Sequence, residues 1–247
     1  MAMSPARRHL LRMAGASATD AQPGSESRAQ RRTRDVIRVQ LETDLRRLST
    51  TQSISRRIAL KREMLPAYAP YVQAVLQADT GEPNDMLTTL MVWCLDVGDF
   101  TQALTIGRYV IRHGLALPER YKRSAPAMLA EGMADAADVP RAMLVETYEL
   151  TSRFDMVDEI AAKLHKAIGL AFEAEDPDLA LTHLQRAHTL NRNVGVKRDM
   201  ARIHAAQRAS SPEPAPEVPR DRAARAGVQP SKARASRSST ARQGKRS

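Results

Sequence analysis

Between residues 28 and 64 the chain has neither proline nor glycine, and large apolar side chains fall at Ile37, Leu41, Leu45 and Leu48, then at Ile58 and Leu65. Steps of four, four and three place the first four on one stripe of an α-helix. The spacing predicts a helix over residues 31–66, interrupted where Ser49-Thr50-Thr51-Gln52-Ser53 turns polar. A narrow seam beside polar faces suits coiled-coil-like pairing between chains, and self-association is the reading favoured here. The alternative is that the stripe packs onto the chain's own core.

Pro66 and Pro70 end this run, and helical periodicity then returns in pieces. Helices are expected at residues 71–78, 85–97 and 100–113, with a loop at 80–84, a tight turn at Gly98-Asp99 and a stop at Gly114. Residues 115–140, with Pro118, Pro126 and Pro140, read as a looser connection. Further helices follow at 141–152, 156–175, 179–190 and 196–207, the third opened by Asp176-Pro177-Asp178, since proline is tolerated in a first turn. No stretch alternates apolar and polar residues with β-branched enrichment, so the fold class is all-α: a long N-terminal helix, then an irregular helical bundle. Two hairpins share a pattern at an offset of 77 residues, Asp99 with Ala103-Leu104-Thr105 and Asp176 with Ala180-Leu181-Thr182. Small residues there allow close helix approach, as in tetratricopeptide units, although the period is wrong for a regular array.

Charge changes this picture more than composition does. The 247 residues carry a net +10, distributed as +8 over residues 1–66, −4 over 67–209 and +6 over 210–247. The organisation that follows is a flexible basic arm (1–30), an arginine-rich helix for DNA binding or oligomerisation (31–66), a mildly acidic helical body (67–209) and a disordered basic tail (210–247). A short helical turn is possible in the arm around residues 5–14. The tail has too few large apolar residues to offset the entropy of ordering, and it lacks aromatics for base stacking. Clustered Lys and Arg attract polyanions through counterion release, which favours a nucleic-acid partner. The candidate phosphate contacts are Arg31, Arg32, Arg34, Arg38, Arg46, Arg47, Arg56 and Arg57. A single cysteine forms neither an intramolecular disulfide nor a zinc site. With no apolar run of about 18 residues and no apolar segment behind the N-terminal charges, the expected location is cytoplasmic, without a membrane.

Motifs for chemistry are sparse. Phosphate-cradling glycine loops and nucleophile elbows are absent, which argues against an ATPase or a serine hydrolase. His183 and His188 are five apart rather than four, so they lack metal-ligand spacing on one helix face; His113, His165 and His204 read as satisfied or exposed. Two-metal nuclease chemistry needs converging carboxylates. The densest acidic groups, Glu173, Glu175, Asp176 and Asp178, and Asp155, Asp158 and Glu159, precede helices, where acids serve as caps.

Six stretches in order carry a family likeness: Ser4-Pro5-Ala6-Arg7-Arg8-His9, Lys61-Arg62-Glu63-Met64-Leu65-Pro66, Asp96-Val97-Gly98-Asp99 with Ala103-Leu104, Lys163-Leu164-His165-Lys166-Ala167-Ile168-Gly169-Leu170, Ala180-Leu181-Thr182-His183-Leu184-Gln185-Arg186-Ala187, and Gly195-Val196-Lys197-Arg198. Together they resemble the small terminase subunit of temperate tailed phages with cohesive DNA ends, a family often labelled "terminase, endonuclease subunit". The resemblance spans residues 4–205. It implies an oligomeric protein of the bacterial host cytoplasm that binds double-stranded DNA at the cohesive-end site and hands it to a large ATPase subunit. It implies no cofactor in this subunit, or Mg2+ if the endonuclease label applies. No catalytic residue carries over, because the matched stretches contain no catalytic set. A helical protein-interaction adaptor of repeat type is the reading outside the nucleic-acid class.

Overall fold

Helices here begin where a short polar side chain can take an orphan amide of the first turn. Ser53 accepts from the Arg56 amide, Asn84 from Leu87, Asp99 from Gln102, Ser124 from Ala127 and Asp176 from Leu179, at 2.9–3.4 Å. The computed structural model describes residues 28–210, so the N-terminal arm and the basic tail lie outside the described residues. Within them run α1 (Arg28–Ser49), α2 (Ile54–Met64), a 3-10 turn (Leu65–Ala67), α3 (Ala69–Ala78), α4 (Asp85–Val97), α5 (Phe100–Arg112), α6 (Ala125–Asp135), α7 (Arg141–Thr151), α8 (Asp158–Phe172), α9 (Pro177–Leu190) and α10 (Lys197–Ser210). No strand occurs among the described residues, as the all-α expectation requires.

The helix expected over 31–66 is two helices, parted at the polar stretch where its interruption was expected. The hydroxyls of Ser49, Thr50 and Thr51 donate to carbonyls in the last turn of α1, those of Arg46 and Arg47, and Ser53 then caps α2. The loose connection expected over 115–140 contains α6. Pro126 sits in its first turn behind the Ser124 cap, where a missing amide costs nothing, so the proline opens a helix instead of barring one.

The core is centred on α4, which is buried on nearly every side. Leu87, Leu90, Met91, Trp93 and Cys94 are at most 2% exposed. Thr88 and Thr89 are buried too, their hydroxyls turned back onto the carbonyls of Asn84 and Asp85. Trp93 meets Tyr68 edge-to-face, ring centroids 6.1 Å apart. Burial pushes the Cys94 thiol up to about 12, so it behaves as a small hydrophobe. Gly98, in the left-handed region at φ 80°, turns the chain from α4 into α5. α6 lies against both α5 and α8, and Ile160, Leu164 and Ile168 extend the same cluster along α8.

The stripe on α1 belongs to this cluster. Ile37, Leu41 and Leu48 are 1–6% exposed and Leu45 packs beside them, so the seam faces the chain's own core and is not free for a second copy. A buried polar contact fixes the register: Asp44 accepts from the Tyr68 hydroxyl at 2.6 Å and from Gln40 at 2.9 Å.

A second, smaller cluster closes the C-terminal corner, where Ala180, Leu181, Leu184 and Ala187 of α9 meet Val196 and Ile203. Both expected hairpins, α4–α5 and α8–α9, form with the same aspartate cap, and Ala103 and Ala180 are fully buried. Their close approaches differ. Gly107 on α5 receives Leu129 of α6, whereas Gly169 on α8 receives Leu184 and the Ala180 carbonyl of its own hairpin. The likeness between the two hairpins stops at the cap and the first turns.

Candidate nucleic-acid interface

Once α1 commits Ile37, Leu41, Asp44 and Leu48 to the core, the remaining faces of the helix are left to its arginines. Arg31, Arg32, Arg34, Arg38, Arg46 and Arg47 are all exposed, spread along about 24 Å of axis. Arg56 and Arg57 do not continue that line. They lie on α2, beyond the break, with Arg56 exposed and Arg57 half-buried. The structure therefore gathers six of the eight predicted contacts on one rigid helix.

Three of these arginines have weak local partners among the described residues. Arg38 lies 3.5 Å from Asp35 in an exposed pair, Arg47 is 4.0 Å from Glu63, and Arg46 donates to the Glu42 carbonyl at 3.3 Å. Exposed pairs of this kind hold weakly, so a phosphate can displace the carboxylate. By contrast, Lys61 and Arg62 on α2 are occupied as fasteners: Lys61 pairs with Asp96, and Arg62 donates to the Val97 carbonyl at 2.9 Å, binding α2 to the end of α4. Val36 and Val39 lie exposed between the arginines.

Most of the acidic groups weighed for nuclease chemistry are engaged within the fold. Asp176 caps α9, Glu173 accepts from Nε and Nη2 of Arg202 at 2.6 Å, Glu175 pairs with Arg141, and Asp178 accepts from Gln207 at 2.8 Å. The Glu173 carboxyl is accordingly held below its ordinary range, chiefly by the hydrogen bond from Arg202. Asp158 and Glu159 stand in the first turn of α8, where they complement the helix dipole. Among the described residues no group of three or more His, Cys, Asp or Glu side chains is placed to hold a metal.

The histidines hold a feature that sequence spacing hid. His165 on α8 and His183 on α9 face one another with their Nδ1 atoms 3.0 Å apart, and the Tyr148 ring of α7 stands edge-on to both. Burial lowers His165 to about 4, helped by the neighbouring His183 and Arg186, and burial lowers His183 as well. The pair is therefore neutral near pH 7, with one ring donating to the other. Eighteen residues separate the two in sequence, so only the pairing of α8 with α9 brings them together. His113 is engaged elsewhere: its Nε2 bonds Asp79 at 2.8 Å, and that bond leads in holding the Asp79 carboxyl low.

A groove of about 680 Å³ opens between α6, α8 and the turn after α9. Its two lysines are already committed, Lys163 to Asp135 at 2.8 Å and Lys166 to the Val194 carbonyl at 2.9 Å. No described helix is long and apolar enough to cross a membrane.

Comparison with known proteins bears on this geometry. The family described as phage small terminase subunit matches residues 38–167, which covers most of α1 and everything through α8 up to Ala167. The "terminase, endonuclease subunit" of Escherichia phage P2 is 38% identical over 223 residues, 87% of this chain and 88% of that protein. The "probable terminase, endonuclease subunit" of Haemophilus phage HP1 is 23% identical over 185 residues, 66% of each chain. No solved structure matches.

Proposed function

The chain belongs to the phage small terminase subunit family, and from that premise we propose that it binds concatemeric viral DNA at the cohesive-end site and hands it to the large, ATP-hydrolysing terminase subunit in the cytoplasm of the bacterial host. The observation that carries DNA contact is the arginine face of α1, six exposed guanidinium groups on a helix whose other side is locked into the core. Guanidinium groups are always charged and match phosphate oxygens geometrically, so such a face takes up the DNA backbone whatever the bases. Assembly into a homo-oligomer multiplies these weak contacts into avidity, through a surface other than the buried stripe. The subunit needs no cofactor for this role.

Salt dependence of binding tests the reading. With the full-length protein and duplex DNA, replacing Arg31, Arg32, Arg34 and Arg38 together by Ala should reduce the slope of log affinity against log salt by about three to four, since each phosphate contact contributes about 0.9. An unchanged slope removes α1 from the interface.

The names of the two relatives support a second reading, in which the subunit itself cuts the cohesive-end site with Mg2+. Incubating the purified subunit with cohesive-end DNA and magnesium, without the large subunit, distinguishes them: nicking supports the second reading, binding without nicking the first.

A further inference from the structure

The body of the chain is not evenly acidic. Residues 67–185 hold 9 Lys and Arg against 18 Asp and Glu, whereas residues 186–209 hold six against one. The six are Arg186, Arg192, Lys197, Arg198, Arg202 and Arg208; the single acid is Asp199. The sign of the charge thus reverses within α9, and four of the six cations lie on α10.

The packing of α10 determines which of them are available. Val196 and Ile203 are buried against α9, and Met200 is half-buried between them. On one flank Arg202 is held by both oxygens of Glu173 and by Asp199 at 2.9 Å, and Gln207 donates to Asp178. Glu173, Asp199 and Asp178 are used by these clamps. The opposite face carries Lys197, Ala201, His204 and Arg208, at steps of four, three and four, with Arg198 and Ala205 beside them. All six are exposed. Lys197, Arg198 and Arg208 have no acidic partner among the described residues.

We propose that this outward face of α10, with Arg192 in the turn before it, is a second contact for the phosphate backbone of duplex DNA, separate from the arginine face of α1. The inference rests on the DNA-binding reading above and adds a surface to it. Lys197 and Arg208 stand about 16 Å apart along the helix axis, and the major groove of B-DNA is about 12 Å wide. A cation at each end meets phosphates on opposite rims, while Ala201 and Ala205 leave the middle of the face free of bulk. With cations at the two ends of the face and alanines between them, the contact positions the DNA through its phosphates. Residues 210–247, next in the sequence, carry a net +6.

The test uses the full-length protein, mixed-sequence duplexes and a salt titration. Lys197, Arg198 and Arg208 are replaced together by Ala, and Arg198 and Arg208 together by Lys in a second variant. Circular dichroism should find both folded, since none of these side chains is buried. The expected result is a slope lower by about two to three for the alanine variant, equally on unrelated sequences, and an unchanged slope for the lysine variant. A wild-type slope in the alanine variant, where Arg31, Arg32, Arg34 and Arg38 still matter, overturns this inference alone. Wild-type protein that ignores duplexes even at low salt overturns the DNA-binding reading with it. An unchanged DNA slope with weakened self-association in sedimentation would assign the face to the acidic region of a second copy, which also overturns the proposal.

Discussion

Around α4 and α5 the buried side chains are large and continuous, with Met91, Trp93, Leu104 and Ile106 all at most 1% exposed. At the α9–α10 corner the cluster is small, and two of its six members are alanines. Less apolar area is buried in the corner, and the rim there is closed by polar clamps: Arg202 to Glu173, Gln207 to Asp178, and Lys166 to the Val194 carbonyl. The centre is therefore fastened mainly by large buried side chains, with pairs such as Lys61–Asp96 and Arg108–Glu146 at its rim, and the corner by less burial with a larger share from polar clamps. The corner should open separately and at lower cost, and a larger part of what holds it should respond to salt.

The sharpest way to break this contrast is Trp93→Ala. Emptying that site should cost about 3–5 kcal/mol and lower the melting temperature by about 10 °C, and the loss should appear everywhere at once because the cluster is continuous. Ile203→Ala comes next, at about 2–4 kcal/mol in its own site. Its effect should stay local: amide exchange should quicken in α10 while the α4 amides keep their protection. Equal loss of protection in both helices would mean that the two clusters form one cooperative unit.

How far this contrast could be read from residues alone depended on what kind of signal each part left. Asp85–Val97 was legible to the residue, because Asn84 and Gly98 mark both ends and the run between is apolar on every side. α6 was not, because Pro126 looks like a breaker until Ser124 is seen to cap the helix that it opens. The α1 stripe was visible as periodicity, but periodicity identifies a buried face without naming what covers it; the Asp44–Tyr68 bond, across 24 residues, was needed for that. The arginine face followed from composition. The reversal of charge at residue 186 was also present in the sequence, hidden by counting 67–209 as one block. The His165–His183 pair left no local trace, since it depends on two helices meeting at Gly169.

That pair lies between the two regions and gives the comparison a pH handle. His165 is lowered from 6.5 to about 4 in the folded chain, so between those values the unfolded state binds more protons. Stability is full above about pH 6.5 and falls as the pH drops towards 4, with His183 acting in the same direction. The carboxylates held low by partners, Asp79, Glu146 and Glu173, lose their contribution only lower, below about 4.5. The interval from pH 5 to 6.5 therefore isolates the histidines. Allowing for solvent screening of a half-buried pair, a loss on the order of 1 kcal/mol by pH 5 is expected in denaturant midpoints. His165→Gln should flatten the slope in that interval, and an unaltered slope would take the pair out of the account.

The smallest effect sharpens the comparison most directly, because it changes the same atoms in both regions. Asp99 and Asp176 each accept from the amide three residues on, at 3.1 and 3.0 Å, and both are exposed. Asp99→Ala and Asp176→Ala should each cost about 0.5–1 kcal/mol, the lower part of the range for a lost cap. In the centre, the α5 that Asp99 starts is pinned by Ala103, Leu104, Ile106 and Val110, so the loss should be spread over global unfolding and leave local exchange rates in its first turn almost unchanged. In the corner, α9 has fewer large buried side chains, and its first turn carries the Asp178 that holds Gln207 of α10. Removing the Asp176 cap should therefore speed exchange at the start of α9 and in α10 together. Identical exchange patterns in the two variants would show that burial holds both ends alike, and that the clamps around α10 add nothing to it.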